Sequence, residues 1–287
     1  MTSHAWVRNR KKRRIVEASD VLPVVIAGIN YVEDTDQVPQ FSNVDERLNK
    51  LPLINCSVKI EDASRSGREA TLDREGFTLV THASSVADPA ADDAPLDIYR
   101  SELKRLLLEL TGADDVRIEK FSPVRRVKPR ADIDFHNCLP AGFAHSDCTA
   151  AGVDAMVEWA YGADRPDRPI RRMALYNLWR LLSPAPADMP LAVLDWRTLE
   201  EADVIPGYSH FNDFSLQSAF VRYNPQHRWV YYSRMRSDQI LIFKQFDTAT
   251  RQPCLVPHCA FAESGSAREL VPRVSIEARA MASWFEV

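Results

Sequence analysis

Cysteine is scarce and badly placed for cross-linking. There are five, at positions 56, 138, 148, 254 and 259, an odd number without a C-x-x-C pair. That excludes a disulfide framework and a thiolate zinc site as organising devices, and it predicts a reducing, cytoplasmic setting. Excess positive charge is missing too: 36 Lys and Arg against 40 Asp and Glu leave a net charge of −4. Neither a nucleic acid nor an anionic membrane is therefore indicated as a partner. The apolar run Val21-Leu-Pro-Val-Val-Ile-Ala27 is too short to span a bilayer, and the basic run Arg8-Asn-Arg-Lys-Lys-Arg-Arg14 lacks the apolar stretch that follows it in a signal peptide. Residues 1–20 read as a solvated, flexible basic tail. No internal repeat or low-complexity segment is present.

What the chain does have is apolar mass in short pieces. Of 287 residues, 45% are hydrophobic, ample for one sizeable core, and residues 21–287 read as a single domain. Residues 21–27 and Ser57-Val-Lys-Ile60 predict peripheral strands. Arg68–His82 predicts two short strands around a turn at Glu75-Gly76. Leu96, Tyr99, Leu103, Leu106, Leu107 and Leu110 recur at helical spacing and Gly112 stops the helix. Val116–Val127 alternates like a strand, and Val153–Tyr161 has helical spacing. The charged, Pro-punctuated segment 162–172 reads as a loop that could close over a pocket. From Met173 onward closely spaced strands follow, at 173–182, 191–195, 220–223, 228–233, 239–244 and 273–279. Many short strands with turn signals between them predict a mainly β jelly roll, with the helices flanking it.

The chemistry centres on Phe143-Ala-His-Ser-Asp-Cys-Thr-Ala-Ala-Gly152. If this is a strand, His145 and Asp147 share a face. His-x-Asp is common by chance, so the tripeptide acquires meaning only with a third ligand, and His258 in Val256-Pro-His-Cys-Ala-Phe261 can supply it. Two His and one carboxylate make the facial triad of non-heme Fe(II) oxygenases, which leaves coordination positions for a cosubstrate and O2. Cys148 and Cys259 adjoin these residues, but an odd thiol reads first as a small buried hydrophobe. In the last strand Arg273 and Ser275 share a face about 7 Å apart, so both can reach one carboxylate, as an oxygenase needs for the distal end of 2-oxoglutarate. Arg279 lies roughly 20 Å from Arg273 along an extended strand. It and Arg268 are the alternative clamps. Tyr176 and Asn177 face opposite ways, so one of them is the further candidate for binding the cosubstrate. Phe135, His136 and Arg180 are candidate substrate contacts, Arg180 reading equally as a structural ion pair, and Lys244 with Asp247 reads as a surface pair. The aromatics Trp179, Trp229, Tyr231 and Tyr232 read as core or pocket wall.

Taken together these segments resemble the CmcJ/AsaB-type hydroxylase/desaturase family over most of the chain after about residue 65. The resemblance is carried by Gly67-Arg-Glu-Ala70 with Gly76-Phe77 and His82, His145-Ser-Asp-Cys-Thr149, Tyr176-Asn-Leu-Trp-Arg180 and Pro190-Leu-Ala192 with Asp195. It continues in Arg228-Trp-Val-Tyr-Tyr232, Phe243-Lys-Gln-Phe-Asp247, Pro257-His-Cys-Ala-Phe261 and Pro272-Arg-Val-Ser-Ile-Glu-Ala-Arg279. It implies a double-stranded β-helix (cupin-like jelly roll) and an Fe(II)/2-oxoglutarate-dependent dioxygenase that hydroxylates or desaturates a small secondary metabolite. By the same resemblance His145, Asp147 and His258 hold the metal, and Arg273 with Ser275 holds the cosubstrate. Departures at Leu181-Leu-Ser183, Cys148 and Cys259 touch neighbours of the ligands and bear on the substrate. Two other readings stay open: an iron oxidase with the same triad and no 2-oxoglutarate, and an inactive β-sandwich binding protein.

Overall fold

The computed structural model describes residues 23–42, 46–120, 122–127, 137–210, 215–250, 254–263 and 269–286. The basic tail, Phe135, His136 and Arg268 lie outside them.

Short β-branched and aromatic runs cut by Pro, Asp and Asn favour pleated strands over helix. The described residues form two sheets. The nine-stranded sheet runs in spatial order Val24–Val32, Leu53–Asp62, Trp229–Tyr231, Leu191–Leu194, His258–Ala260, His145–Ser146, Ser215–Val221, Val204–His210 and Gln40–Ser42. The seven-stranded sheet runs Phe77–Thr81, Gln239–Asp247, Ile170–Leu181, Val274–Phe285, Val124–Arg126 and Asn137–Cys138, with Asp115–Ile118 paired to the far half of Val274–Phe285. The inner faces meet through Phe77, Trp179, Leu241 and Phe243 from the smaller sheet and Leu191, Val193 and Val230 from the larger. The result is a mainly β, curled jelly roll with flanking helices.

Both faces of the smaller sheet are buried, which is why its central strands read as nearly continuous apolar runs. The helix Leu96–Thr111 covers the outer face, setting Tyr99, Leu103 and Leu107 against Leu178, Ile240, Ile242, Ala278, Ala280 and Ala282. Three alanines at alternate strand positions let it sit close. Gly112 ends the helix in the left-handed region at φ 64 and donates to the Leu108 carbonyl. Leu103 is fully buried there, so Leu103→Ala costs about 2–5 kcal/mol. The larger sheet buries its own second cluster around Ile29, Tyr31, Ile60 and Leu194, where Trp229 Nε1 donates to Tyr31 Oη at 2.7 Å.

Several expectations change. Residues 68–76 make no strand: the Glu75 and Gly76 amides donate to the Thr71 carbonyl, and the Glu75 carboxylate is gripped by Arg68, Arg74 and Arg197. Gly76 has φ 85, and a Cβ there would lie 2.6 Å from Val256. Val116–Val127 splits into two strands because the chain breaks at Pro123, which has no N–H to donate. The outer strands are longer than expected, Val24–Val32 and Leu53–Asp62 pairing along their whole length, and Val204–His210 is an additional strand. Lys244 and Asp247 are no surface pair: both are buried, with Lys244 Nζ 2.7 Å from Asp247 Oδ2 and Arg172 closing on the same carboxylate.

Candidate metal centre

His145 and His258 are distant in the chain and meet by register. The strand His258–Ala260 lies between Leu191–Leu194 and His145–Ser146, and His258 stands directly opposite His145. Opposed residues in an antiparallel pair project to one face, and the two rings come to 4.4 Å between centroids. The strand expected over residues 143–152 is only two residues long. Asp147 therefore owes its position to tertiary bonds. Gln245, from the opposite sheet, accepts through Oε1 from both the Asp147 amide and Ser146 Oγ at 2.7 Å, and Ser218 Oγ donates to the Asp147 carbonyl. Gln245 sits in a bulge, between Lys244 opposite Tyr176 and Phe246 opposite Leu175. Bulges re-aim side chains next to sites. The three-residue spacing of Phe243 and Phe246 around Lys244 and Gln245 breaks the strand alternation and is its signal in the sequence.

One ligand atom each from His145, Asp147 and His258 lies within 4.8 Å of the others. The donor set suits a divalent transition metal. His145 Nδ1 donates to the Phe143 carbonyl at 2.9 Å, which turns Nε2 to the cluster. His258 carries a buried Nδ1 with no hydrogen-bond partner, an orphan of the kind that accompanies a metal site. Asp147 Oδ2 accepts from Asn177 Nδ2 and Arg279 Nε, both at 2.8 Å, while Oδ1 lies 3.6 Å from His145 Nε2, too far for a hydrogen bond. One carboxylate oxygen is anchored and the other faces the imidazoles.

Electrostatics prepare the same state. Burial lowers the pKa of His145, and burial with the neighbouring imidazole lowers that of His258 to about 3, so both rings are neutral, the form in which imidazole can bind a metal. Burial opposes ionisation of Asp147, but the Arg279 guanidinium beside it holds it well below the usual carboxylate range. Arg279 is shared by three acids: besides Asp147 it meets Glu277 at 2.9 Å and Glu119 at 3.4 Å. Burial raises the pKa of Glu119. A cavity of about 390 Å³ opens beside this network, polar at Asp147, Asn177 and Arg279 and walled by Met156, Trp159, Leu175 and Leu216.

At the other end of the same strand Arg273 is buried, its Cζ 5.0 Å from the centre of the Trp179 ring. Its Nε donates to Ser275 Oγ at 3.0 Å and its Nη1 to the Met189 carbonyl at 3.1 Å. No carboxylate among the described residues lies within salt-bridge distance of it. Burial pulls its pKa down to about 9, which still leaves the guanidinium charged at neutral pH.

Residues 29–283 match the family described as oxidoreductase/YMDC permease-like domain. The hydroxylase/desaturase efuI of Hormonema carpetanum is 31% identical over 266 residues, covering 83% of this chain and 85% of that protein. The Fe(II)/2-oxoglutarate-dependent dioxygenase nvfI of Aspergillus novofumigatus is 29% identical over 231 residues, covering 78% and 82%. The chain belongs to the CmcJ/AsaB-type family of Fe(II)/2-oxoglutarate-dependent oxygenases. A solved variant of the iron and alpha-ketoglutarate-dependent endoperoxidase NvfI superposes with a TM-score of 0.80 at 25% identity, over 92% of this chain and 98% of that one. As a member of this family the chain is an oxidoreductase that uses Fe(II) and 2-oxoglutarate on a small metabolite. No helix among the described residues is long and apolar enough to cross a membrane.

The remaining candidates separate by face. Asn177 points inward, and its Nδ2 donates to the Asp147 carboxylate. Tyr176 points outward into the cluster beneath the Leu96–Thr111 helix. Arg180 also points outward, away from the triad. It bonds Tyr99 Oη, the His82 and Ser237 carbonyls and His82 Nδ1, so its partners are neutral groups and not the expected carboxylate. Arg279, one of the alternative clamps, is in contact with Asp147 of the triad. Of the segments around the cavity it is the Val153–Tyr161 helix, not the 162–172 loop, that supplies Met156 and Trp159.

Proposed function

We propose that the enzyme oxidises a C–H bond of an apolar small molecule, by hydroxylation or desaturation. His145, Asp147 and His258 hold the iron, Arg273 with Ser275 holds the distal carboxylate of 2-oxoglutarate, and the substrate lies in the cavity beside Asp147. The observation that carries this reading is the buried guanidinium of Arg273, which makes no salt bridge among the described residues and lies on the face that also brings Arg279 to the triad. A buried charge without a partner is costly, and a planar fork with a hydroxyl beside it is matched to a carboxylate. That feature also favours 2-oxoglutarate over an oxidase that uses the triad alone.

When bound, iron with 2-oxoglutarate and O2 supplies an oxidant strong enough for a C–H bond. The chain does the positioning. Asn177 and Arg279 hold one oxygen of Asp147 so that only Oδ1 is presented, and the Phe143 carbonyl holds the His145 ring. Gln245 fixes the turn carrying Asp147. Met156, Trp159, Leu175 and Leu216 exclude water and present an apolar wall, which fits a ring-bearing or aliphatic substrate. Residues 21–287 act as one oxygenase domain in this reading, and five cysteines without a C-x-x-C pair suit a cytoplasmic setting.

The test is to add Fe(II) and then 2-oxoglutarate to the folded protein without oxygen. The visible absorption band of an iron-bound 2-oxo acid is expected, and its absence in a folded, iron-loaded sample overturns the reading. Aerobic incubation with apolar candidate metabolites then gives succinate and a product 16 mass units heavier or 2 lighter.

A further inference from the structure

We infer that Arg125 is a second cation for the distal carboxylate of the cosubstrate, completing a two-arginine clamp with Arg273. The inference rests on the proposed placement of 2-oxoglutarate. The strand Val124–Arg126 pairs antiparallel with Val274–Phe285, setting Val124 opposite Ile276 and Arg125 opposite Ser275. Val124 and Ile276 belong to the outer cluster beneath the helix, so Arg125 and Ser275 leave the sheet on its inner face. Opposed residues start about 5 Å apart at Cβ, within reach of whatever Ser275 binds.

The surroundings of Arg125 fit an anion. Its Nη1 donates to Cys138 Sγ at 3.0 Å and to the Leu139 carbonyl at 3.3 Å, neutral acceptors, and it makes no salt bridge among the described residues. Glu277, on the same face of the neighbouring strand, is engaged by Arg279. Two arginines flanking Ser275 on one face of the sheet repel, and an anion between them relieves that repulsion. A carboxylate offers about four lone-pair sites, more than Arg273 and Ser275 fill.

The test titrates the anaerobic, Fe(II)-loaded full chain with 2-oxoglutarate and with 2-oxobutyrate, which keeps the chelating end and lacks the distal carboxylate. Binding is followed by calorimetry or tryptophan fluorescence. Arg125→Leu is expected to weaken 2-oxoglutarate binding roughly tenfold or more, leaving 2-oxobutyrate within about twofold of the wild type. Arg125→Lys is expected to lie between, because it keeps the charge and loses the fork. An unchanged affinity for 2-oxoglutarate, or an equal loss for both ligands, overturns the proposal. If Arg125→Leu does not fold by circular dichroism, Arg125→Gln is read by the same criteria. Wild-type protein that fails to bind 2-oxoglutarate, or an Arg273→Leu variant that binds it undiminished, overturns the placement of the cosubstrate and this inference with it. A loss in Arg273→Leu with none in Arg125→Leu overturns this inference alone.

Discussion

Arg279 and Arg273 occupy one strand and one face, six residues apart, and both are largely buried, yet their surroundings differ. Arg279 touches Asp147, Glu277 and Glu119, and these acids hold its charge although burial opposes it. Arg273 touches a hydroxyl, a carbonyl and an indole face, and burial lowers its pKa. The first is satisfied within the chain and serves to fix a ligand. The second is a cation with no carboxylate within salt-bridge distance among the described residues. Residue type and burial alone therefore do not mark a binding arginine. The charge balance around it does.

The largest expected effect breaks the satisfied side. Arg279→Met strands up to three buried acids and should cost about 3–5 kcal/mol of unfolding free energy, read from urea transitions with and without metal. A variant as stable as the wild type would show that the two arginines do not differ as described. Arg273→Leu should do the opposite. Stability stays within about 1 kcal/mol, because a lost hydroxyl and carbonyl bond is offset by removal of an unpaired buried cation. Anaerobic 2-oxoglutarate binding falls roughly 10- to 150-fold, the loss of a charged hydrogen bond worth about 1.5–3 kcal/mol. Next comes Asn177→Ala, which frees one side of Asp147 Oδ2. It should weaken iron binding about 10- to 100-fold in competition with a chelator, without changing the relative affinities for 2-oxoglutarate and 2-oxobutyrate. A selective loss for 2-oxoglutarate would instead assign Asn177 to the cosubstrate. The smallest change is expected for Ser275→Ala, about 1 kcal/mol or fivefold in 2-oxoglutarate affinity, because Arg273 keeps its charge and loses only the group that orients Nε.

Much of the fold was legible because the apolar spacing is regular. The Leu96–Thr111 helix with its Gly112 stop, and the strands from Met173 onward, follow from period and punctuation. The misses have physical causes. The Arg68–Gly76 segment has strand-like composition, but three arginines close a turn around Glu75. Lys244 and Asp247 look exposed on a list of charges, and are buried because Arg172 from the neighbouring strand completes their pair. Arg125 was passed over because a basic residue beside Arg126 resembles ordinary surface. Only its register opposite Ser275 turns it inward.

By itself the sequence determined the residue types of the site: an imidazole and a carboxylate two positions apart, a second imidazole downstream, and an Arg-x-Ser pair on a terminal strand. Chemical identity and alternation are local properties, so they can be read from a line of letters. The tertiary structure decided which of those residues meet. Strand register brought His145 against His258, a bulge aimed Gln245 at the amide of Asp147, and the packing of two sheets gave three acids to Arg279 and none to Arg273. Those outcomes depend on pairings between distant segments, where a shift of one residue would turn every side chain to the other face.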